Sequence, residues 1–141
     1  MSLASLFAVG INDISSAVPD GVLSTLYVDD ISLSFGGSRM SFVERRLQRA
    51  VDSVSAWAED HGFRFSAGKT RVVHFCRRRG HHPDPDLDLY LQGHRLTVVE
   101  EHRFLGLVFD RRLCWDSHIR SLKLRCTKAL NLVRALDVGF G

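Results

Sequence analysis

Two neighbouring carboxylates, Asp29 and Asp30, interrupt an apolar run that reads Leu26-Tyr27-Val28-Asp29-Asp30-Ile31-Ser32-Leu33-Ser34-Phe35. Leu26 and Val28 precede the acids and Ile31, Leu33 and Phe35 follow them, a pattern that predicts two short strands meeting at the acidic pair. Adjacent carboxylates repel, and a hard divalent cation is the usual counter-charge. Mg²⁺ takes one or two carboxylates together with substrate phosphates. Paired metal ions of this kind align the attacking and leaving oxygens in phosphoryl transfer. The plainer reading is a solvated turn, since Asp favours turns in any protein.

The elements that must position this pair follow from periodicity and turn chemistry. Apolar residues at 3, 6, 7, 11 and 14 predict a helix over 3–18, ended by Pro19-Asp20-Gly21. The hairpin comes next and stops at Gly36-Gly37-Ser38. Ser41 and Glu44 have the spacing of a capping box. The helix they open carries apolar residues at 43, 47, 50, 51, 54, 57 and 58, with Gly62 as its stop and Arg45, Arg46 and Arg49 on a solvated face.

Phe63-Arg64-Phe65 and Val72–Cys76 are predicted as strands around Ser66–Thr70, followed by a polar, proline-bearing loop over 77–85. Leu87, Leu89 and Leu91 alternate, Gln92-Gly93 turns, and Leu96–Val99 returns, which predicts a second hairpin. The continuous apolar run 104–109 predicts a buried strand. A last helix, capped by Asp116 and reaching Leu136, shows an apolar stripe at Ile119, Leu122, Cys126, Ala129, Leu130, Val133 and Leu136. Arg120, Lys123, Arg125, Lys128 and Arg134 fill the rest of it, as suits a phosphate backbone, an anionic membrane surface or plain solvation.

Composition sets the class. The chain has 141 residues, 45% of them hydrophobic and 25% charged, enough for one domain with a real core. No apolar run reaches the ~20 residues of a membrane span, and the first ten residues lack the basic start of a signal peptide. The three cysteines, Cys76, Cys114 and Cys126, form no CxxC pair, which predicts a reducing compartment rather than a disulfide framework. His81-His82 lacks the partners of a zinc site, and Gly68-Lys69-Thr70 lacks the upstream glycine of a P-loop. Residues 1–60 carry a net charge of −4 and residues 61–141 a net charge of +7. That asymmetry suits cations at one end and a polyanion along the other.

The motifs, taken in order, resemble the C-terminal part of the reverse transcriptase domain of non-LTR (LINE-type) retrotransposons. Leu3–Phe7 through Ile14 resembles the end of the template-positioning motif, and Tyr27-Val28-Asp29-Asp30 the catalytic box. The capped helix with Gly62-Phe63 and Lys69-Thr70 resembles the next palm motif. Phe104-Leu105-Gly106 resembles the motif at the palm–thumb junction, and Leu113–Ile119 the start of the thumb.

The resemblance implies an intracellular setting (nucleus or cytoplasm) and an α+β fold: a partial polymerase palm over 1–110, made of the catalytic hairpin, packed helices and a mostly antiparallel sheet followed by a small β-hairpin, and the start of the thumb helix region over 111–141. It implies RNA-templated DNA synthesis with Mg²⁺ (or Mn²⁺), an RNA template, a DNA primer and a dNTP as partners, and no membrane. Asp29 and Asp30 would ligate metal. Tyr27 and Val28 would lie at the primer, Lys69 would act near the leaving pyrophosphate, and Arg120, Lys123 and Lys128 would hold the nucleic acid. The family's earlier aspartate and its fingers have no counterpart before Asp29, and Ser66 stands where the family often has Asn. These residues alone are therefore expected not to polymerise. Two other readings are a non-enzymatic nucleic-acid-binding remnant of a retroelement and an unrelated α+β domain whose acidic pair is only a turn.

Overall fold

The computed structural model describes residues 13–27, 30–76 and 87–137, and the side chains of the last two of these are not described. A short 3-10 helix, Asp13–Ala17, stands where the first long helix was expected to end. The rest of that expected helix lies outside the described residues, except Val18, which follows the 3-10 turn. Strands β1 (Leu23–Tyr27) and β2 (Asp30–Ser34) pair antiparallel, with Leu23 opposite Ser34 and Tyr27 opposite Asp30. Helix α1 (Met40–Asp60) follows. Then come β3 (Arg71–Val73), β4 (Tyr90–Leu91), β5 (His94–Arg95), β6 (Thr97–Val99), β7 (Glu101–Phe104) and β8 (Leu107–Asp110). Helix α2 (Asp116–Asp137) closes the order.

The class is α+β, as expected. The strands, however, form four two-stranded ladders among the described residues rather than one palm-like sheet: β1–β2, β3–β6, β4–β5 and β7–β8. The chain divides into two compact units, Met1–Arg71 with Pro85–Thr97, and Val72–Asp84 with Val98–Gly141.

In the first unit, one face of α1 is buried through Val43, Ala50, Val54 and Ala58, four of the seven apolar positions that define its periodicity. The leucines Leu87, Leu89, Leu91 and Leu96 are all at most 4% exposed, as their alternation requires. Polar contacts fix this segment against α1. The Gln48 side-chain amide accepts from the Tyr90 amide at 2.8 Å and donates to the Tyr90 carbonyl at 2.9 Å, so a strand edge is satisfied by a helix side chain. Glu44 accepts from the Asp88 amide at 3.1 Å.

Several local expectations change. The capping box is not formed: α1 starts at Met40 with Arg39 as its cap and no side-chain hydrogen bond there. The Arg39 carbonyl instead accepts from Phe42 and Val43, which places Ser41 inside the first turn. The other end matches expectation. Gly62, at φ +78°, follows the cap residue His61; Phe63 donates to the Ala58 carbonyl and Gly62 to the Glu59 carbonyl. That is the Schellman pairing, which needs a left-handed residue at Gly62. The same bond uses up Phe63, so Phe63-Arg64-Phe65 is not a strand. Only Arg71–Val73 of the next predicted strand is extended, beside β6.

Arg46 does not belong to a solvated face. Its guanidinium lies 5.7 Å and 5.8 Å from the ring centres of Phe35 and Phe42, and donates to the Asp20 carbonyl at 3.0 Å. One side chain thus ties the end of β2 and the turn before β1 to the first turns of α1. Arg46→Ala is expected to cost about 1–2 kcal/mol, from a charge-assisted hydrogen bond and two cation–π contacts at a half-exposed site. Arg46→Lys should recover little, because an ammonium lacks the planar fork. Urea unfolding midpoints measure both; a midpoint unchanged in Arg46→Ala contradicts the assignment.

In the second unit, the apolar run 104–109 is not one strand. Leu105 and Gly106 both have positive φ, +49° and +81°, and Phe104 faces Leu107 across a two-residue turn. Positive φ at both central residues is the type I′ hairpin geometry. The turn exposes Leu105 and Leu107, at 46% and 40%. Gln92 (φ +52°) and Gly93 (φ +79°) make the same turn between β4 and β5 in the first unit, as their sequence predicts. The second expected hairpin thus narrows to β4–β5, while β6 turns to β3.

Candidate catalytic hairpin and its neighbours

The β1–β2 hairpin is the element the acidic pair requires. Five consecutive pairs hold it in register, down to Tyr27 opposite Asp30. Two residues, Val28 and Asp29, connect these paired ends, and both lie outside the described residues. Asp30 is exposed at the first position of β2 and has no hydrogen-bond or ionic partner among the described residues. Tyr27 is 58% exposed beside it. A strand start that leaves a carboxylate and a phenol ring open to solvent can receive a charged ligand without first breaking a protein contact.

Asp30 fits a Mg²⁺ ion of the sort that keeps several waters and takes only one or two carboxylates. Among the described residues no group of three His, Cys, Asp or Glu side chains could enclose a metal. Asp30 is thus the one carboxylate of the acidic pair among the described residues, and Asp29 lies outside them.

Lys69 sits in a tight turn of the first unit. The Ser66 carbonyl accepts from the Lys69 amide at 3.1 Å, the Thr70 amide at 3.0 Å and the Thr70 hydroxyl at 2.8 Å. Its side chain is exposed, and no hydrogen bond or ion pair joins it to Asp30. Arg120, Lys123 and Lys128 lie on α2 in the second unit, all exposed. At 100° per residue Arg120 and Lys123 are 60° apart, and Lys128 stands 80° to the other side of Arg120.

The apolar stripe of α2 is uncovered among the described residues: Ile119, Leu130 and Val133 are 61%, 57% and 62% exposed. Among the described residues, α2 is held at its start. His118 accepts from the Val108 amide through Nδ1 at 3.3 Å, and the Trp115 ring lies tilted at 55° to Phe109, 5.4 Å between ring centres. Asp116 is the first helical residue rather than the cap, since the Trp115 carbonyl already accepts from Ile119.

Asp110 was not among the residues singled out in the sequence. Its carboxylate accepts three backbone amides in the loop before α2: Arg112 at 3.0 Å, Cys114 at 3.1 Å and Trp115 at 2.9 Å. These bonds, led by that from Cys114, hold its pKa below the usual carboxylate value. Leu113 and Trp115 in this loop both have positive φ, +54° and +65°, a conformation uncommon outside glycine. The available signal was an aspartate directly after an apolar strand, the position of an Asx turn.

No family model matches the chain, and no solved structure matches it. Three curated relatives do. The RNA-directed DNA polymerase from mobile element jockey of Drosophila melanogaster is 26% identical over 125 residues, covering 84% of this chain and 13% of the relative. The jockey polymerase of Drosophila funebris is 27% identical over 112 residues, covering 79% of this chain and 12% of the relative. A probable RNA-directed DNA polymerase from transposon BS of Drosophila melanogaster is 24% identical over 120 residues, covering 85% and 13%. The chain thus spans about an eighth of the length of these relatives. By sequence, this chain is similar to RNA-directed DNA polymerases from mobile elements.

Proposed function

We propose that these residues form part of a reverse transcriptase: palm segments over 1–110 and the start of the thumb over 111–141. One observation carries the reading. The chain aligns along about four fifths of its length with RNA-directed DNA polymerases, in a stretch that includes the strand pair ending at Tyr27 opposite Asp30. The reaction is nucleotidyl transfer on an RNA template. The primer 3′-oxygen attacks the α-phosphorus of a dNTP, a new P–O bond forms, the bond to the β-phosphate oxygen breaks, and pyrophosphate leaves.

Asp29 and Asp30 would hold Mg²⁺ (or Mn²⁺), which would supply charge neutralisation at the reacting phosphate. Tyr27 and Val28 border the primer terminus. Lys69 stands near the leaving pyrophosphate as a proton donor or charge partner. Arg120, Lys123 and Lys128 hold the backbone of the template–primer duplex. Among the described residues no third metal-ligating side chain joins Asp30, and on this reading the 141 residues by themselves bind nucleic acid without extending a primer.

Salt dependence tests the binding. Affinity for an RNA–DNA primer–template should fall linearly on a log–log plot against salt, because bound cations release counterions from the backbone. The double variant Lys123→Glu, Lys128→Glu should reduce that slope by about two, one for each phosphate contact. Fluorescence anisotropy reads both. Absent or salt-independent binding refutes the nucleic-acid reading.

A further inference from the structure

From Leu122 to Ala135 every residue of α2 is exposed. A helix in a protein owes most of its stability to burying an apolar face. Helix α2 has such a face, and among the described residues nothing covers it.

The face is narrow and regular. Ile119, Leu122, Cys126, Ala129 and Val133 follow one another at alternating steps of three and four residues, the spacing of the seam along which two helices pair. With Leu130 they occupy an arc of about 100°, and from Ile119 to Val133 the seam runs about 21 Å along the axis. Cys126 and Ala129 are small, so another helix can approach closely at the middle of the seam.

The borders of the seam are cationic on both sides. Arg125 stands about 40° outside its Ala129 edge and Arg134 about 40° outside its Leu130 edge. Both are exposed, and neither has a hydrogen bond or ion pair among the described residues. Between Ser117 and Leu136 the helix carries five cations, Arg120, Lys123, Arg125, Lys128 and Arg134, and no carboxylate.

That charge pattern selects the occupant. A second copy of the chain would double the cations around one seam, and like charges brought together disfavour pairing. Residues 1–12 contain no acid, and Asp84 and Asp86 alternate with Pro83 and Pro85, so neither stretch supplies an acidic helix. Helix α2 holds no Trp or Phe, the residues that help seat a helix on a bilayer surface.

We propose that the Ile119–Val133 face docks an acidic amphipathic helix of another polypeptide, with its apolar seam on these residues and its carboxylates beside Arg125 and Arg134. Such a partner takes one side of α2 and leaves Arg120 and Lys128, on the far side, open to phosphate. The inference does not depend on the polymerase reading.

The test uses the full 141-residue chain and two labelled three-heptad peptides, with Leu along the seam and either Glu or Lys on both flanks, read by fluorescence anisotropy. The Glu peptide should bind at least about tenfold tighter than the Lys peptide. Added salt should narrow that gap. Arg125→Glu combined with Arg134→Glu should reverse the order of the two peptides, a swap that loss of the fold would not produce. Ile119→Ser combined with Val133→Ser should weaken the Glu peptide by about tenfold or more. Thermal melts check that each variant folds.

Failure of the Glu peptide to bind overturns the proposal, as does equal affinity for the two peptides or an unchanged order in the charge-reversed variant. A chain that sediments as a dimer, and as a monomer once Ile119 and Val133 are replaced, gives the face to a second copy instead. Binding to phosphatidylserine vesicles that the same replacements abolish, with neither peptide bound, gives it to a lipid surface. The primer–template measurements with Lys123→Glu, Lys128→Glu stand apart from all of these, so the docking proposal and the polymerase reading fail separately.

Discussion

Asp29→Asn should abolish primer extension, by at least about a hundredfold, in any polymerase that carries these residues together with the rest of its catalytic carboxylates. Losing one preorganised electrostatic group commonly costs about 10²–10³ in rate. Asn matches Asp in size and suits a turn equally well. The five pairs from Leu23 opposite Ser34 to Tyr27 opposite Asp30 should therefore survive the change. What is lost is the negative charge that a hard cation needs. Asp30→Asn, at the exposed first position of β2, should be impaired as well. Single-turnover extension with Mg²⁺ measures the step, and the melting temperature of each variant checks the fold. Extension kept within about threefold in Asp29→Asn would falsify the metal-ligand assignment.

The second large effect concerns stability. Asp110→Ala should destabilise the second unit by roughly 1–2 kcal/mol, the range for losing a side-chain acceptor that satisfies loop and helix-start amides. Three amides lose their partner at once, in a loop that keeps Leu113 and Trp115 at positive φ. The aromatic contact of Trp115 with Phe109 and the His118 bond to Val108 depend on that loop path.

Acid should have the same effect. Because the folded state holds the Asp110 pKa below its ordinary 3.8, its contribution is complete above that value and fades as pH falls through the folded pKa. Unfolding midpoints of the unsubstituted chain should therefore drop below about pH 4, and Asp110→Ala should lack that part of the drop. Parallel acid limbs in the two proteins would show that the carboxylate does not anchor the loop.

The hairpin around the acidic pair was legible because its signals are local: apolar residues on both sides and a polar break between them. Helix α1 was legible for the same reason. Its 3.6-residue periodicity matches the buried positions Val43, Ala50, Val54 and Ala58, and Gly62 marks its end. The Leu87-Leu89-Leu91 alternation and the Gln92-Gly93 turn also belong to this class. Where local signals conflict, the sequence misleads. Phe104–Phe109 is apolar throughout and reads as one buried strand, although Leu105-Gly106 turns it back on itself. A turn residue inside an apolar run carries no contrast in polarity, so only the positive φ of both residues reveals it.

The sequence by itself determined the α+β class, the hairpin around the acidic pair, helix α1 and the likeness to polymerases, because each rests on residues within a turn or two of one another or on their linear order. Tertiary structure decided the roles of Arg46, Gln48 and Asp110. Arg46 reaches a carbonyl 26 positions away and Gln48 a strand 42 positions away, and no spacing along the chain encodes such meetings. Asp110 lies near its partners, but its carboxylate gathers three amides only once β8 ends and the loop takes two left-handed residues.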